Sequence, residues 1–500
     1  MTKLSNKITL LNMVTSLVMQ IVTILSGFII PRLILGFFGS EVNGLVNSLN
    51  QFLNYIAIVE GGMTGVVTAS LYKPLVDHNT KKVSAVLKTA SAFYKKIGII
   101  FVLYTTVLAV VYPIVFKTSF SLLYIASLTF ILSLNLLVQY MFALTYKTLL
   151  NADKKVYVVS LTQSIIVSLS IVFSILAVKV YPSVHILKLI SGLLFFVQPI
   201  VFSLYVKKNY NICNNTVPDN ELIKNRWNGF AINIAAFIHN STDLTILTLF
   251  TSLEMVSVYS VYALVTSGLK QIIIAITSGI NPTIGQAYAK GIREDLCDKL
   301  DLYEYIVLIL VFFSYSVAGM LITPFVMIYT NGINDADYFQ PLFGWLIVCA
   351  EALYLLKLPH LKIAYSANKF KEITIPGYLE AAINIVVSLI LVRKFGIAGV
   401  SIGTIIAMFY RLMFHVRYTT VLIPGWKQST YYRKMLLFFA GTVLGVFLCK
   451  IIVGTPEYSI ISWIIHGSIY IGVMLTIYLV ISILFFKKEM KYIITYLKRV

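Results

Sequence analysis

Charge is scarce in this chain of 500 residues. Only 12% are Asp, Glu, Lys or Arg, against roughly a quarter in soluble domains. With 58% hydrophobic residues and a mean hydropathy of +0.86, that shortage excludes an ordinary soluble protein and leaves a multispanning membrane protein. Cysteine is scarce too: Cys213, Cys297, Cys349 and Cys449 stand far apart, with no spacing of a zinc site or a disulfide framework. Gly is nowhere followed by Lys, so there is no G-x-x-x-x-G-K-[ST] phosphate loop, and no H-E-x-x-H zinc helix occurs either. The longest stretch between apolar runs is about 25 residues, too short for the extramembrane site of a polymerase or glycosyltransferase. These absences lead us to expect a protein that is not an enzyme and carries no cofactor and no metal.

Basic residues are what the chain does have. Its 40 Lys and Arg outnumber its 20 Asp and Glu, giving a formal charge of +20. They fall in short clusters between apolar runs, unlike the single basic face that binds nucleic acid, so no nucleic-acid partner is expected. A spanning helix takes roughly 20 mostly apolar residues. Fourteen such segments can be drawn, near 10–31, 44–72, 97–116, 120–146, 156–178, 186–206, 229–250, 256–284, 304–329, 339–358, 373–392, 397–416, 435–454 and 459–486. An even number puts both termini on one side. If that side is the cytoplasm, about 30 of the 40 basic residues lie in its loops, as the Lys/Arg bias of cytoplasmic loops requires. Lys3 and Lys7 precede an apolar run with no small-residue cleavage site, so a retained first span is expected rather than a signal peptide.

Two internal matches share nearly one offset. Residues 34–45 resemble 246–258, and 151–179 resemble 366–393. A duplicated six-helix unit explains both. Because six is even, the two copies have the same orientation and are related by an axis along the membrane normal. The expected organisation is an all-α integral membrane protein with an N-lobe (1–210, helices 1–6), a C-lobe (211–425, helices 7–12), and two added helices with a basic tail (426–500).

Polar residues inside the spans mark where function lies, because lipid does not tolerate them without a partner or water. Helical spacing puts Asn43, Asn47, Asn50, Asn54, Ala57, Gly61 and Gly65 on one face of the second span, with Glu60 on its flank. Lys270 sits near the middle of the eighth span on a face shared with Thr266, Thr277 and Asn281. A midplane Lys costs at least roughly 2.5–3.5 kcal/mol unless it meets water or a partner. The polar content of helices 1, 2, 7 and 8 leads us to expect a central cavity between the halves, with Glu60 pairing across it to Lys270 or Arg32.

Arg32, which follows Pro31 at the expected end of the first span, has the forked geometry that suits phosphate. His239 and Asp243 stand four apart beside Asn233 and Asn240, a spacing that allows a proton-exchanging pair or, equally, a polar helix cap. Arg411 and His415 lie near a helix end, where snorkelling is the competing explanation; for Lys357 snorkelling is the expectation. Glu351 and Glu380 invite basic partners that the sequence does not name. Gly396, Gly399 and Gly403 read as a helix-packing face. The expected cavity set is therefore Arg32, Asn47, Asn54, Glu60, Asn240, Lys270 and Arg411, with His239 and Asp243 as ion-coupling residues.

The run IIPRLILGFFGSEVNGLVNSLNQFLNYIAIVEGGMTGVVTASLYKPL resembles the N-terminal region of the Wzx-type oligosaccharide flippases. These belong to the multidrug/oligosaccharidyl-lipid/polysaccharide exporter superfamily. Pro-Arg after the first helix, Gly-Ser-x-x-Asn-Gly before the second, and Glu-Gly-Gly followed by Leu-Tyr-Lys-Pro-Leu carry the likeness over about 45 residues. The resemblance implies a flippase of undecaprenyl-diphosphate-linked oligosaccharides in a bacterial cytoplasmic membrane, working by alternating access for capsule or O-antigen assembly. It implies as partners the lipid-linked substrate, the bilayer, and a polysaccharide polymerase with its chain-length machinery. A multidrug or metabolite cation antiporter of the same fold and a peptidoglycan lipid II flippase are the alternatives.

Overall fold

The structure, a computed structural model, describes residues 2–116, 118–213, 216–218, 241–278 and 280–497. Eleven of its helical segments are long and apolar enough to cross a membrane. Two of them, Leu10–Glu60 and Phe370–Leu422, hold 51 and 53 residues, far more than one crossing of roughly 30 Å can use at 1.5 Å per residue. Each contains one glycine at which the helix breaks: Gly39 at φ 82° and Gly396 at φ 54°. Backbone there is in the positive-φ region that side chains with a Cβ avoid. Counting each long segment as two, and adding the short apolar helix Ser241–Phe250, recovers the fourteen spans expected. The expected start of that seventh span at 229 lies outside the described residues.

The chain forms two compact units, Met1–Ser257 and Val258–Val500. A division by packing and a division by repeat need not coincide, and here packing assigns the helix 241–250 to the first unit. The first unit begins with α1 (Thr2–Leu53), which carries the Gly39 break, followed by α2 (Ile56–Glu60) and α3 (Met63–Val76). The expected helix end at Pro31 is overturned. Pro31 sits inside α1, since a membrane helix tolerates proline where neighbours satisfy the freed carbonyl, and the true break comes eight residues later. The break is held near the following turn by Ser119, whose hydroxyl donates to Glu41 Oε1 at 2.7 Å.

Next come α4 (Thr80–Val115), α5 (Leu122–Val138), a single π-helical turn (Gln139–Ala143), α6 (Leu144–Ala152), α7 (Val156–Val180), α8 (Val184–Leu194), α9 (Val197–Asn209) and α10 (241–250). Helix α4 shows how sequence sorts its faces: Ile99, Leu103, Val107 and Ile114 point outward, whereas Phe101, Thr105, Leu108 and Tyr112 are buried. Both sets recur every three to four residues. The outward face is apolar and the inward face carries the hydroxyls, the reverse of a soluble helix and the pattern a hydrocarbon surround selects.

The second unit holds most of α11 (Leu253–Ser278), then α12 (Asn281–Lys290), α13 (Arg293–Tyr329), α14 (Pro341–Leu356), α15 (Leu358–Ser366), α16 (Phe370–Leu422), α17 (Gln428–Ile452), α18 (Ile460–Phe485) and α19 (Lys487–Leu497). The two arms of α16 fold back on each other about Gly396: Ser388 Oγ donates to the Val400 carbonyl at 3.2 Å. A Cβ on Gly403 would lie 2.2 Å from Ser388 Oγ, and one on Gly399 would lie 2.5 Å from the Leu391 carbonyl oxygen. The small-residue face expected from sequence is therefore a helix-packing face. It also contains Gly399-Val400-Ser401-Ile402-Gly403, the G-x-S-x-G spacing of a hydrolase elbow. Here Ser401 is buried in a helix interior, not raised on a strand-to-helix turn, and the pentapeptide serves packing.

Candidate functional site

In the first unit the polar stripe does not survive as one face. The helix breaks at Asn54-Tyr55 and again at Gly61-Gly62, so the expected continuous span 44–72 becomes three helices. Asn43 is buried and donates from Nδ2 to Ser257 Oγ at 2.7 Å. Asn47 turns back on its own helix, donating to the Asn43 carbonyl at 2.9 Å. Asn54 is exposed at the break. Tyr55 reaches α10, where its hydroxyl pairs with that of Thr245. Arg32 is half-buried in α1, beside Gly36 one turn on.

Glu60 closes α2 and faces the interior of this unit. Thr64 Oγ1 donates to its Oε1, and Tyr140 donates to its Oε2 at 3.2 Å. The Tyr140 hydroxyl gets there because the π turn at 139–143 shifts that stretch of helix out of its α register, a distortion that recurs at functional sites. Tyr94 joins through Thr64 at 3.1 Å, and Lys147 on α6 is close enough for its charge to act on Glu60. Glu60 is thus held by hydroxyls and a cation of its own unit. Lys270, which the sequence offered as a partner for Glu60, has a carboxylate of its own unit beside it.

That carboxylate is Glu351. In the second unit Lys270 Nζ on α11 lies 2.9 Å from Glu351 Oε1 on α14 and 5.0 Å from the centre of the Tyr354 ring. On the same ring, at 4.4 Å, sits Lys357 Nζ. Lys357 is 3.6 Å from Glu380 Oε1, and Arg411 Nε is 3.2 Å from Glu380 Oε2. A second cluster follows one turn on. Glu304 on α13 receives Lys434 Nζ at 3.0 Å and approaches His360 Nε2 at 4.0 Å, while Lys434 also binds Asp301 at 2.8 Å. His360 Nδ1 pairs with the Thr419 hydroxyl at 3.1 Å.

Glu351, Tyr354, Lys357 and His360 recur every three residues across the join of α14 and α15, which keeps them neighbours along one side. Four cations, Lys270, Lys357, Arg411 and Lys434, meet four carboxylates, Glu351, Glu380, Glu304 and Asp301. Balance is what low-dielectric surroundings require, since a lone buried charge is far more costly than a paired one. Two expectations are corrected here. Lys357 does not snorkel: it is 4% exposed, because the span continues through α15 to Ser366 and leaves Lys357 in its interior. Arg411 and His415 are likewise buried, at 7% and 1%, and Arg411 is committed to Glu380. Lys270 and Glu351, with side chains 15% and 19% exposed, are the most open pair of the α14 series.

Asp243 is half-buried on α10. Asn233, His239 and Asn240 lie outside the described residues. Asn281 and Pro282 open α12, and Thr266 is buried with its carbonyl accepting from Tyr315 at 3.4 Å. The partners of Lys270, Lys357 and Arg411 were missed from sequence. One signal was available: equal numbers of cations and carboxylates inside apolar spans imply that they pair with each other.

Helical units with apolar outward faces, the second with ion pairs in its interior, define a multi-pass membrane protein. Among solved structures the chain is similar to the lipid II flippase MurJ in an inward closed conformation, with a TM-score of 0.74, 13% identity, and 96% of this chain covering 99% of that one. It is also similar to an inward-facing multidrug resistance MATE family transporter of the MOP superfamily (0.61, 11% identity, 84% of this chain and 99% of that one). A third likeness is to the MATE multidrug transporter DinF-BH (0.63, 16% identity, 83% and 97%). The fold is therefore the all-helical fold of MOP-superfamily transporters. No protein family matches the chain by sequence, and no curated protein matches it.

Proposed function

We propose that this protein flips undecaprenyl-diphosphate-linked oligosaccharide repeat units across the bacterial cytoplasmic membrane by alternating access, supplying surface polysaccharide assembly. The observation that carries this reading is the extent of the likeness. The flippase of a lipid-linked sugar is matched by 96% of the chain, whereas the multidrug transporters are matched by 83–84%. The difference is 12–13% of the chain. The physics of the task agrees. A glycan cannot shed its water into roughly 30 Å of hydrocarbon, so its carrier needs polar groups within the membrane.

In this reading Lys270, with Glu351 as its resting counterion, meets the diphosphate, and Arg32, Asn47, Asn54, Glu60 and Asn240 contact the headgroup. Arg411 acts from within the ion-paired series. Asp243 with His239, or Glu60, couples transport to an ion. Both termini are cytoplasmic, and the polymerase and chain-length machinery take the product. The likeness to a lipid II flippase favours one second reading, in which the cargo is the peptidoglycan precursor.

One experiment separates the readings: depletion of the protein in its own host, followed by mass spectrometry of lipid-linked sugars sided with a membrane-impermeant label. Build-up of a polysaccharide repeat unit on the cytoplasmic face is expected. Build-up of lipid II instead moves the second reading ahead. If neither accumulates, the cation antiporter takes precedence and efflux becomes the assay.

A further inference from the structure

A separate feature lies inside the second unit and does not depend on which cargo the protein carries. Glu304 on α13 and His360 on α15 are both buried, at 0% and 1% exposure. Glu304 Oε2 accepts from Lys434 Nζ at 3.0 Å, an ammonium that also donates to Asp301 at 2.8 Å. The other oxygen, Oε1, faces His360 Nε2 at 4.0 Å, beyond hydrogen-bond reach. Among the described residues neither of these two atoms has a hydrogen-bond partner.

The far side of the ring fixes which nitrogen carries the proton. Thr419 Oγ1 donates its one hydrogen to the His415 carbonyl at 2.9 Å, because a carbonyl can only accept. Toward His360 Nδ1, at 3.1 Å, the same hydroxyl is therefore the acceptor, and Nδ1 bears the N–H. A neutral ring then presents Nε2 as a lone pair. An ionised Glu304 would set two buried acceptors against each other, at the desolvation cost of both. The ring is held in place: Tyr431 stands perpendicular to it with centres 4.5 Å apart, and Trp426 lies at 5.4 Å. The Tyr431 hydroxyl donates to the Leu356 carbonyl. From the other packed elements, Glu489 on α19 is close enough for its charge to act on Glu304, and His415 on α16 is within such range of His360.

We propose that Glu304 and His360 form a buried proton-binding site, with one proton from water on Oε1 donated to the Nε2 lone pair. The carboxylate becomes a carboxylic acid, the ring stays neutral, and no bond between heavy atoms changes. Lys434 keeps Asp301 as its counterion. A doubly protonated ring would instead add a second cation beside Lys434, which low-dielectric surroundings disfavour. The proton turns two facing acceptors into a donor and an acceptor, and so ties α15 to α13. Asp301, three residues before Glu304 on the same helix face and with its side chain 35% exposed, connects the site to water.

The test is infrared spectroscopy of the full chain purified in detergent, with solid-state NMR of the same protein carrying isotope-labelled histidine. At neutral pH, where an ordinary carboxyl is ionised, the wild type should show the C=O stretch of a carboxylic acid, and Glu304→Gln should lose it. The amide N–H of that glutamine can still donate to Nε2, so the variant should fold with an unchanged melting temperature. The signal that His360→Gln deletes should report a protonated Nδ1 and an Nε2 that accepts a hydrogen bond. Raising the pH should abolish the acid band and change the His360 signal together, as one proton leaves the pair. An infrared spectrum unchanged by Glu304→Gln overturns the proposal. So does a His360 ring protonated at Nε2. The wild-type titration requires no variant, so the proposal can still fail there if His360→Gln does not fold: an acid band and histidine signals that titrate apart would refute it.

Discussion

Lys270 and Glu351, 81 positions apart in sequence, meet at 2.9 Å in the interior of the second unit. Removing either partner leaves the other as an uncompensated charge in low dielectric. Lys270→Ala and Glu351→Ala should each lower stability by about 3 kcal/mol, read as a fall in melting temperature of the detergent-purified protein. The double variant Lys270→Met/Glu351→Leu should recover that stability. If the lysine acts on substrate, export stays abolished in the recovered double variant; restored export would make the pair purely structural.

Glu380 serves two buried cations, Lys357 and Arg411. Glu380→Ala should therefore be more damaging than either substitution above, at about 3–5 kcal/mol or beyond. Adding Lys357→Met should relieve part of the loss, because one of the two stranded charges is gone. Thermal unfolding of the single and double variants checks the order.

Gly396 and Gly403 should fail for different reasons. A Cβ on Gly396 meets nothing within 4 Å, but its φ of 54° is strained for any other residue. Gly396→Ala should lose about 1–3 kcal/mol, with no gain from trimming neighbours. At Gly403 the problem is Ser388, 2.2 Å from the added atom. Gly403→Ala should destabilise, and Ser388→Gly on that background should recover part of the loss. Equal behaviour of the two positions in such a rescue series would contradict the structure.

Cys213 is exposed beside the basic end of α4. In a chain keeping only this cysteine, an impermeant maleimide should leave Cys213 unlabelled in intact cells and label it in inverted vesicles. Labelling from outside would reverse the proposed topology.

Glu60→Ala should block export without loss of membrane insertion, and Tyr140→Phe, which removes one hydrogen bond to Glu60, should cause a smaller defect. Sided accumulation of the lipid-linked sugar measures both. Normal export in Glu60→Ala would remove this residue from the mechanism.

The number of spans was legible because each needs its own apolar run, and composition carries that directly. The breaks were legible only in part. Glycine at 39 and 396 marks them, but proline at 31 looked the stronger signal, and membrane helices absorb proline. The stripe from Asn43 to Gly65 assumed one uninterrupted helix, which Asn54 and the Gly61-Gly62 pair divide. Intramembrane charge was legible as a set of costly residues. Which carboxylate answers which cation was not, since partners such as Lys270 and Glu351 come from different helices and no local periodicity links them. Lys357 was misplaced for a simpler reason: its span runs eight residues further than the apolar run suggests, through Pro359 and His360 to Ser366.

Helix α17 sends Lys434 between Asp301 and Glu304, and its Tyr431 hydroxyl donates to the Leu356 carbonyl at 3.0 Å, where α14 gives way to α15. The last helices are thus wired to the middle of their unit and are no detachable appendage. A nonsense mutation after residue 425 would not yield a shorter, stable twelve-helix protein. It would strand Glu304 without its cation, and the truncated product should be cleared by membrane proteolysis. For a lineage to gain or lose this terminal pair, Glu304 has to change in the same step.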